Sequence, residues 1–143
     1  MIDYSDLTSD IGGYPNGVAT FYYVGDTWQS WVKPKGAKMI FFFMIGGGGG
    51  GGAGSTGTGV FGGGGGGGSS YTRALIPAFL VPDQLFVLVG KGGSGSITSG
   101  VQAQSGGISY ISVQPTTSQG YIGLQNGTVG ATGGTTQTAG VGG

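Results

Sequence analysis

The sequence predicts an all-β fold, an antiparallel β-sandwich of jelly-roll type carrying ordered glycine-rich insertions. Three observations point to it. Apolar residues gather in short blocks bounded by Gly, Pro, Asn and Asp, the punctuation of strands and turns. No stretch of helical period runs longer than two turns. Two runs of seven glycines, 46–52 and 62–68, lie between such blocks rather than at the chain ends.

Taken in order, residues 1–17 read as an N-terminal arm, docked on a neighbour or frayed, with turn chemistry at Gly12-Gly13 and Pro15-Asn16-Gly17. Residues 18–24 (VATFYYV) are β-branched and aromatic and predict a strand. Gly25-Asp26 is a hairpin-type turn, and residues 27–33 (TWQSWVK) form the second strand. Alternation sends Trp28 and Trp31 to opposite faces of it. Pro34-Lys35-Gly36 turns the chain again.

Residues 38–45 hold the apolar run MIFFFMI and predict the third strand. Met39, Phe41, Phe43 and Ile45 face one way, and Ile40, Phe42 and Met44 the other. A strand apolar on both faces is expected to be central and covered on both, by the core on one side and a second layer or a neighbouring subunit on the other. Each such side chain contributes about 1.5–3 kcal/mol when fully buried. Residues 71–76, 84–89 and 108–113 are the next strands, and residues 121–124 a short seventh candidate. The main β domain is thus expected over 18–125. Residues 126–143 form a Gly/Thr-rich tail that reads as the start of a longer region.

The chain has 143 residues, enough for one domain, of which 38 are Gly and 5 Pro. Glycine does not recur at every third position, which excludes a collagen helix. Aromatic residues make up 11% and charged residues 7%, the reverse of a disordered composition. The net charge is zero and no charge follows Lys91, a surface poorly protected against association. Five basic residues make no nucleic-acid footprint. The longest apolar run, seven residues, is too short to span a bilayer, and the acidic N-terminus is not a secretory signal. There is no Cys, His or Glu. The expected product is made in the cytoplasm without export and takes no cofactor or metal.

The glycine runs have three readings. A phosphate-binding loop needs a Gly-Lys-Ser/Thr ending and a following helix, and neither run has them. A flexible linker belongs between domains, whereas these runs lie between strands. The favoured reading is an ordered lattice. Glycine segments with three residues per turn pack side by side, and their backbone groups bond laterally. Segments 46–52, 62–68 and the looser 90–107 are its candidates.

The order of motifs adds to this. Thr20-Phe21, Gly25-x-Thr27-Trp28, Pro34-x-Gly36 and the apolar strand running straight into glycines 46–52 resemble the glycine-rich domain of bacteriophage virion proteins. Ile76-Pro77, residues 87–93 (VLVGKGG) and residues 105–109 (SGGIS) continue the pattern. The resemblance implies a virion component such as a tail fibre, an appendage or a minor structural protein. More distantly, the chain resembles polyglycine-type tip adhesins of phages.

Chemistry of other kinds finds no foothold. The carboxylates are Asp3, Asp6 and Asp10 in the arm and Asp26 and Asp83 in turns, where aspartates commonly cap backbone. With no histidine as base, catalysis is not expected. The first expectation is a structural virion subunit, in a tail fibre, an appendage or as capsid decoration. It would form a homo-oligomer, a trimer being one form, and join other virion proteins. Its assembly would use Met39, Phe41, Phe43, Trp28 and Trp31. The alternative is host attachment, with a bacterial surface receptor touching Thr56, Thr58, Phe61, Tyr71 and Arg73. A secreted glycine-rich fibre protein is the third reading.

Overall fold

A computed structural model describes residues 17–55, 61–125 and 140–143. The predicted arm, apart from Gly17, and most of the tail lie outside these residues. Within them the fold is all-β. Strands β1 (Gln29–Val32), β2 (Met39–Ile45), β3 (Tyr71–Pro77), β4 (Gln84–Leu88), β5 (Ser109–Ser112) and β6 (Tyr121–Gln125) follow one another, with one 3-10 turn at Ala78–Leu80. Each falls inside or within a residue of a predicted block.

The strands form two antiparallel sheets. One has the order β1-β4-β5-β6, with Gln29 opposite Val87, Phe86 opposite Ser112 and Tyr110 opposite Leu124. The other is the two-stranded ribbon β2–β3, from Met39 opposite Pro77 to Ile45 opposite Tyr71. This order is not the eight-stranded double Greek key of a jelly roll.

Both sheets feed one core. Ile40 and Met44 of β2 meet Leu85 of β4, Ile111 of β5, and Ala78 and Val81 of the connection after β3. Trp31 packs edge-on against Phe42 at the margin, with ring centroids 6.5 Å apart. Trp28 instead meets Tyr110 at 6.1 Å. Tyr110 alternates with the buried Ile111, so this pair lies on the face of the sheet away from the core.

Two expectations are corrected. Residues 18–24 join no ladder. Their strand propensity is real, but a strand forms only where a free edge meets it, and here none does. The third strand is not central. Among the described residues β2 pairs with β3 alone and buries its Ile40/Met44 face, while Met39, Phe41, Phe43 and Ile45 stand at least half exposed. Apolar character on both faces marked two surfaces to be covered, of which this chain covers one.

Candidate functional site

The glycine segments are ordered, and their hydrogen bonds repeat every third residue. Residues 46–55 run antiparallel to 61–70. The N–H groups of Gly46, Gly49, Gly52 and Ser55 donate to the carbonyls of Ser70, Gly67, Gly64 and Phe61. On a second side, Gly47 and Gly50 donate to Gly107 and Gln104. On a third, the carbonyls of Gly48 and Gly51 accept from Gly93 and Ser96. A three-residue repeat facing three neighbours is what a threefold left-handed helix of the polyproline II kind presents. The same spacing joins residues 91–94 to 104–107, and Gly140 and Gly143 to Gly62 and Gly65.

Every residue from Gly46 to Gly52 therefore makes at least one lattice bond. Each bond contributes about 0.5–1.5 kcal/mol net. That is close to the ~1–2 kcal/mol needed to order one residue's backbone. The loose region 90–107 resolves into two antiparallel segments joined by a turn at 97–101, and residues 140–143 supply a fifth segment that the sequence reading placed in the tail.

Glycine is required here by close approach and not by an unusual φ. The left-handed glycines are Gly17, Gly25, Gly36, Gly100 and Gly120, all outside the bonded segments. A Cβ on Gly50 would stand 2.1 Å from the Ser94 carbonyl oxygen, and one on Gly93 would stand 2.0 Å from that of Gln104. On the outer side, Gly62, Gly65 and Gly68 open onto free space.

Two polar side chains tie lattice and sheets together. The Ser109 hydroxyl donates to the Ile45 carbonyl at 2.7 Å and accepts the Gly90 N–H at 3.0 Å. The Ser69 hydroxyl donates to the Gly46 carbonyl. Within the sheet region, the half-buried Lys33 ammonium donates to the carbonyls of Ala78 (3.1 Å) and Val81 (2.6 Å) and meets the Asp83 carboxylate at 3.0 Å.

Two surfaces result. At the strand end of the lattice, the outer face of the β2–β3 ribbon presents Met39, Phe41, Phe43, Ile45, Tyr71 and Leu75, each 50–63% exposed. Phe43 and Tyr71 rings lie 5.8 Å apart, and Arg73 stands opposite Phe43. At the far end, Ser55 meets Phe61, the turn at 97–101 reverses the chain, and Gly140 donates to the Gly62 carbonyl. Ile97, 97% exposed, and Phe61, 37% exposed, sit there.

The predicted residues divide between these places. Met39, Phe41 and Phe43 share the ribbon face, whereas Trp28 and Trp31 are half-buried against Tyr110 and Phe42. Tyr71 and Arg73 are not beside Phe61. Ten residue steps of extended segment take the chain from Phe61 to Tyr71, roughly 30 Å at about 3.1 Å per step. They belong to the ribbon face instead. Thr56 and Thr58 lie outside the described residues. Ile45 and Leu75, absent from the predicted set, were detectable from alternation along their strands, but nothing in the sequence marks Ser109 or Ser69.

Among the described residues no three His, Cys, Asp or Glu side chains come together as a metal cluster, and no helix is long and apolar enough to cross a membrane. A family model described as a glycine-rich domain matches residues 24–143. No curated protein and no solved structure gives a significant match.

Proposed function

The chain belongs to the glycine-rich domain family, and on that premise we propose that it is a structural subunit of a bacteriophage virion, in a tail fibre, an appendage or as capsid decoration. One observation carries the assembly part. Six large apolar or aromatic side chains stand half to two-thirds exposed on a single ribbon face. A patch of that kind on a soluble chain marks an interaction surface. The chain's neutrality and few charges support burial in a larger body. The virion part is supported by the order of motifs running into glycines 46–52. The lattice acts as rigid material, since its segments are cross-bonded along their length, and it needs no cofactor and no chemistry.

Antibody labelling of purified virions, with mass spectrometry of their subunits, tests the proposal. The chain is expected in stoichiometric amounts on the particle. Its absence from purified particles while it is abundant in lysate overturns the reading. Phe41→Ser with Phe43→Ser is expected to keep the fold and prevent incorporation.

A second reading, host attachment, is favoured by a separate observation. The segment ends at Ser55/Phe61 and the turn at 97–101 gather at one end of the lattice, away from the ribbon face. Loops on a rigid scaffold suit recognition of a bacterial surface receptor. Purified chain that blocks infection, and loses the effect on replacement of 97–101, supports this reading. Failure to bind host cells removes it.

A further inference from the structure

The β2–β3 ribbon ends in an unfilled groove. Among the described residues β2 has a ladder with β3 only, and apart from the Ile45 carbonyl, which Ser109 bonds, no strand among them lies beside the N–H and C=O groups of its other edge. That edge is one wall of an open groove of about 800 Å³. Leu85, Val87 and Ile111 line its floor, and residues 17–22 form the opposite wall. Among the described residues no charged side chain lines it. An unpaired edge over an apolar floor is a template for one more strand.

The chain contains an element of matching chemistry. Residues 18–24 (VATFYYV) are uncharged and strand-forming, yet join no ladder. Ala19 and Phe21 are half-buried while Val18, Thr20 and Tyr22 are exposed, which is the period-two alternation of a strand. Among the described residues the hydrogen bond holding this segment runs from the Gln29 side-chain amide to the Tyr22 carbonyl, at 2.8 Å. Glycines with positive φ, Gly17 and Gly25, flank it on either side.

We propose that residues 18–24 of a second copy of this chain enter the groove and pair with the free edge of β2, the two copies exchanging the segment reciprocally. Chain direction favours a second copy over the same chain. The Gln29–Tyr22 contact sets residue 22 beside residue 29 across a reversal at Gly25-Asp26, and Lys35-Gly36 reverses the chain again before β2. Two reversals leave a chain's own segment parallel to its β2. A copy related by a twofold axis perpendicular to β2 brings the segment in antiparallel, in the sense β3 already has, and antiparallel pairing is the more stable per residue. The arrangement is isologous and closes at two copies. It rests on the reading of the chain as a self-assembling subunit. A failure here leaves the virion labelling result standing, so the two are told apart.

The experiment uses the full chain. Sedimentation over a range of concentrations is expected to show a dimer. In a mixture of isotope-labelled and unlabelled copies, inter-copy contacts are expected between residues 18–24 and 39–45. Thr20→Pro and Phe21→Pro are compared as single variants, because adjacent residues aim their N–H groups at opposite edges and proline removes one of them. At least one is expected to raise the dimer dissociation constant tenfold or more, with monomer tryptophan fluorescence and Tm unchanged. A chain that stays monomeric at every concentration overturns the proposal. So does a dimer without those inter-copy contacts, or one whose affinity neither proline changes.

Discussion

The Ser109 hydroxyl hydrogen-bonds the carbonyl oxygen of Ile45, 64 residues earlier, at 2.7 Å. Ile45 is the last residue of β2 and Gly46 the first of the lattice, so this bond sits where apolar strand becomes glycine segment. The Ser109 hydroxyl oxygen also accepts the Gly90 N–H at the start of another segment. Ser109 is buried. Ser109→Ala leaves a carbonyl and an N–H without their partner. The expected loss is about 1–3 kcal/mol, read by denaturant unfolding. Ser109→Thr, which keeps the hydroxyl, is expected to recover part of it.

The lattice predicts a sharp contrast between glycines that look alike in sequence. Gly50→Ala drives a Cβ to 2.1 Å from the Ser94 carbonyl oxygen, a backbone atom that cannot turn aside. Destabilisation of at least ~1–3 kcal/mol is expected, as for overpacking. Gly65→Ala meets open space and no positive φ. It is expected to be neutral, or to stabilise by about 0.4–1 kcal/mol through the unfolded chain. Paired thermal melts of the two variants check this, and equal effects would contradict the lattice.

Amide exchange tests the same structure without substitution. The amides of Gly47, Gly50 and Gly93 donate inside the lattice at 2.8–2.9 Å. They are expected to exchange far more slowly than those of Lys35 and Gly36, in an exposed turn. Uniformly fast exchange across 46–52 would show a slack tether.

Lys33 separates a backbone role from an ion pair. Its ammonium satisfies the carbonyls of Ala78 and Val81, while its partner Asp83 is 94% exposed. Lys33→Met is expected to cost about 1–3 kcal/mol. Asp83→Asn is expected to change stability by less than ~0.5 kcal/mol, since solvent screens an exposed carboxylate. Chemical denaturation of both variants, at low and high salt, distinguishes the two contributions.

How much was legible follows from the range of each signal. Every ladder strand was visible as a block of alternating or continuous apolar residues, because strand formation is written in neighbours two apart. The order of the lattice was visible in part, since runs of glycine between strands of one domain are costly unless bonded. The Ser109 junction was not visible, because a serine in a strand carries no trace of a carbonyl 64 residues away. Nor was the separation of Phe61 from Tyr71, which depends on how far an extended glycine segment travels.

By itself the sequence determined that the chain is β-forming, that its glycine segments lie between strands, and that β2 is apolar on both faces. These are local properties of composition and period. Only the tertiary structure decided which face of β2 is covered, which glycines touch backbone and which face open space, and that residues 18–24 join no ladder within the chain. Those depend on which edges and segments meet, and pairing across dozens of residues is set by the packing of the whole chain. A glycine at position 50 and one at position 65 are the same residue in the sequence; a carbonyl oxygen contributed by Ser94 makes them different.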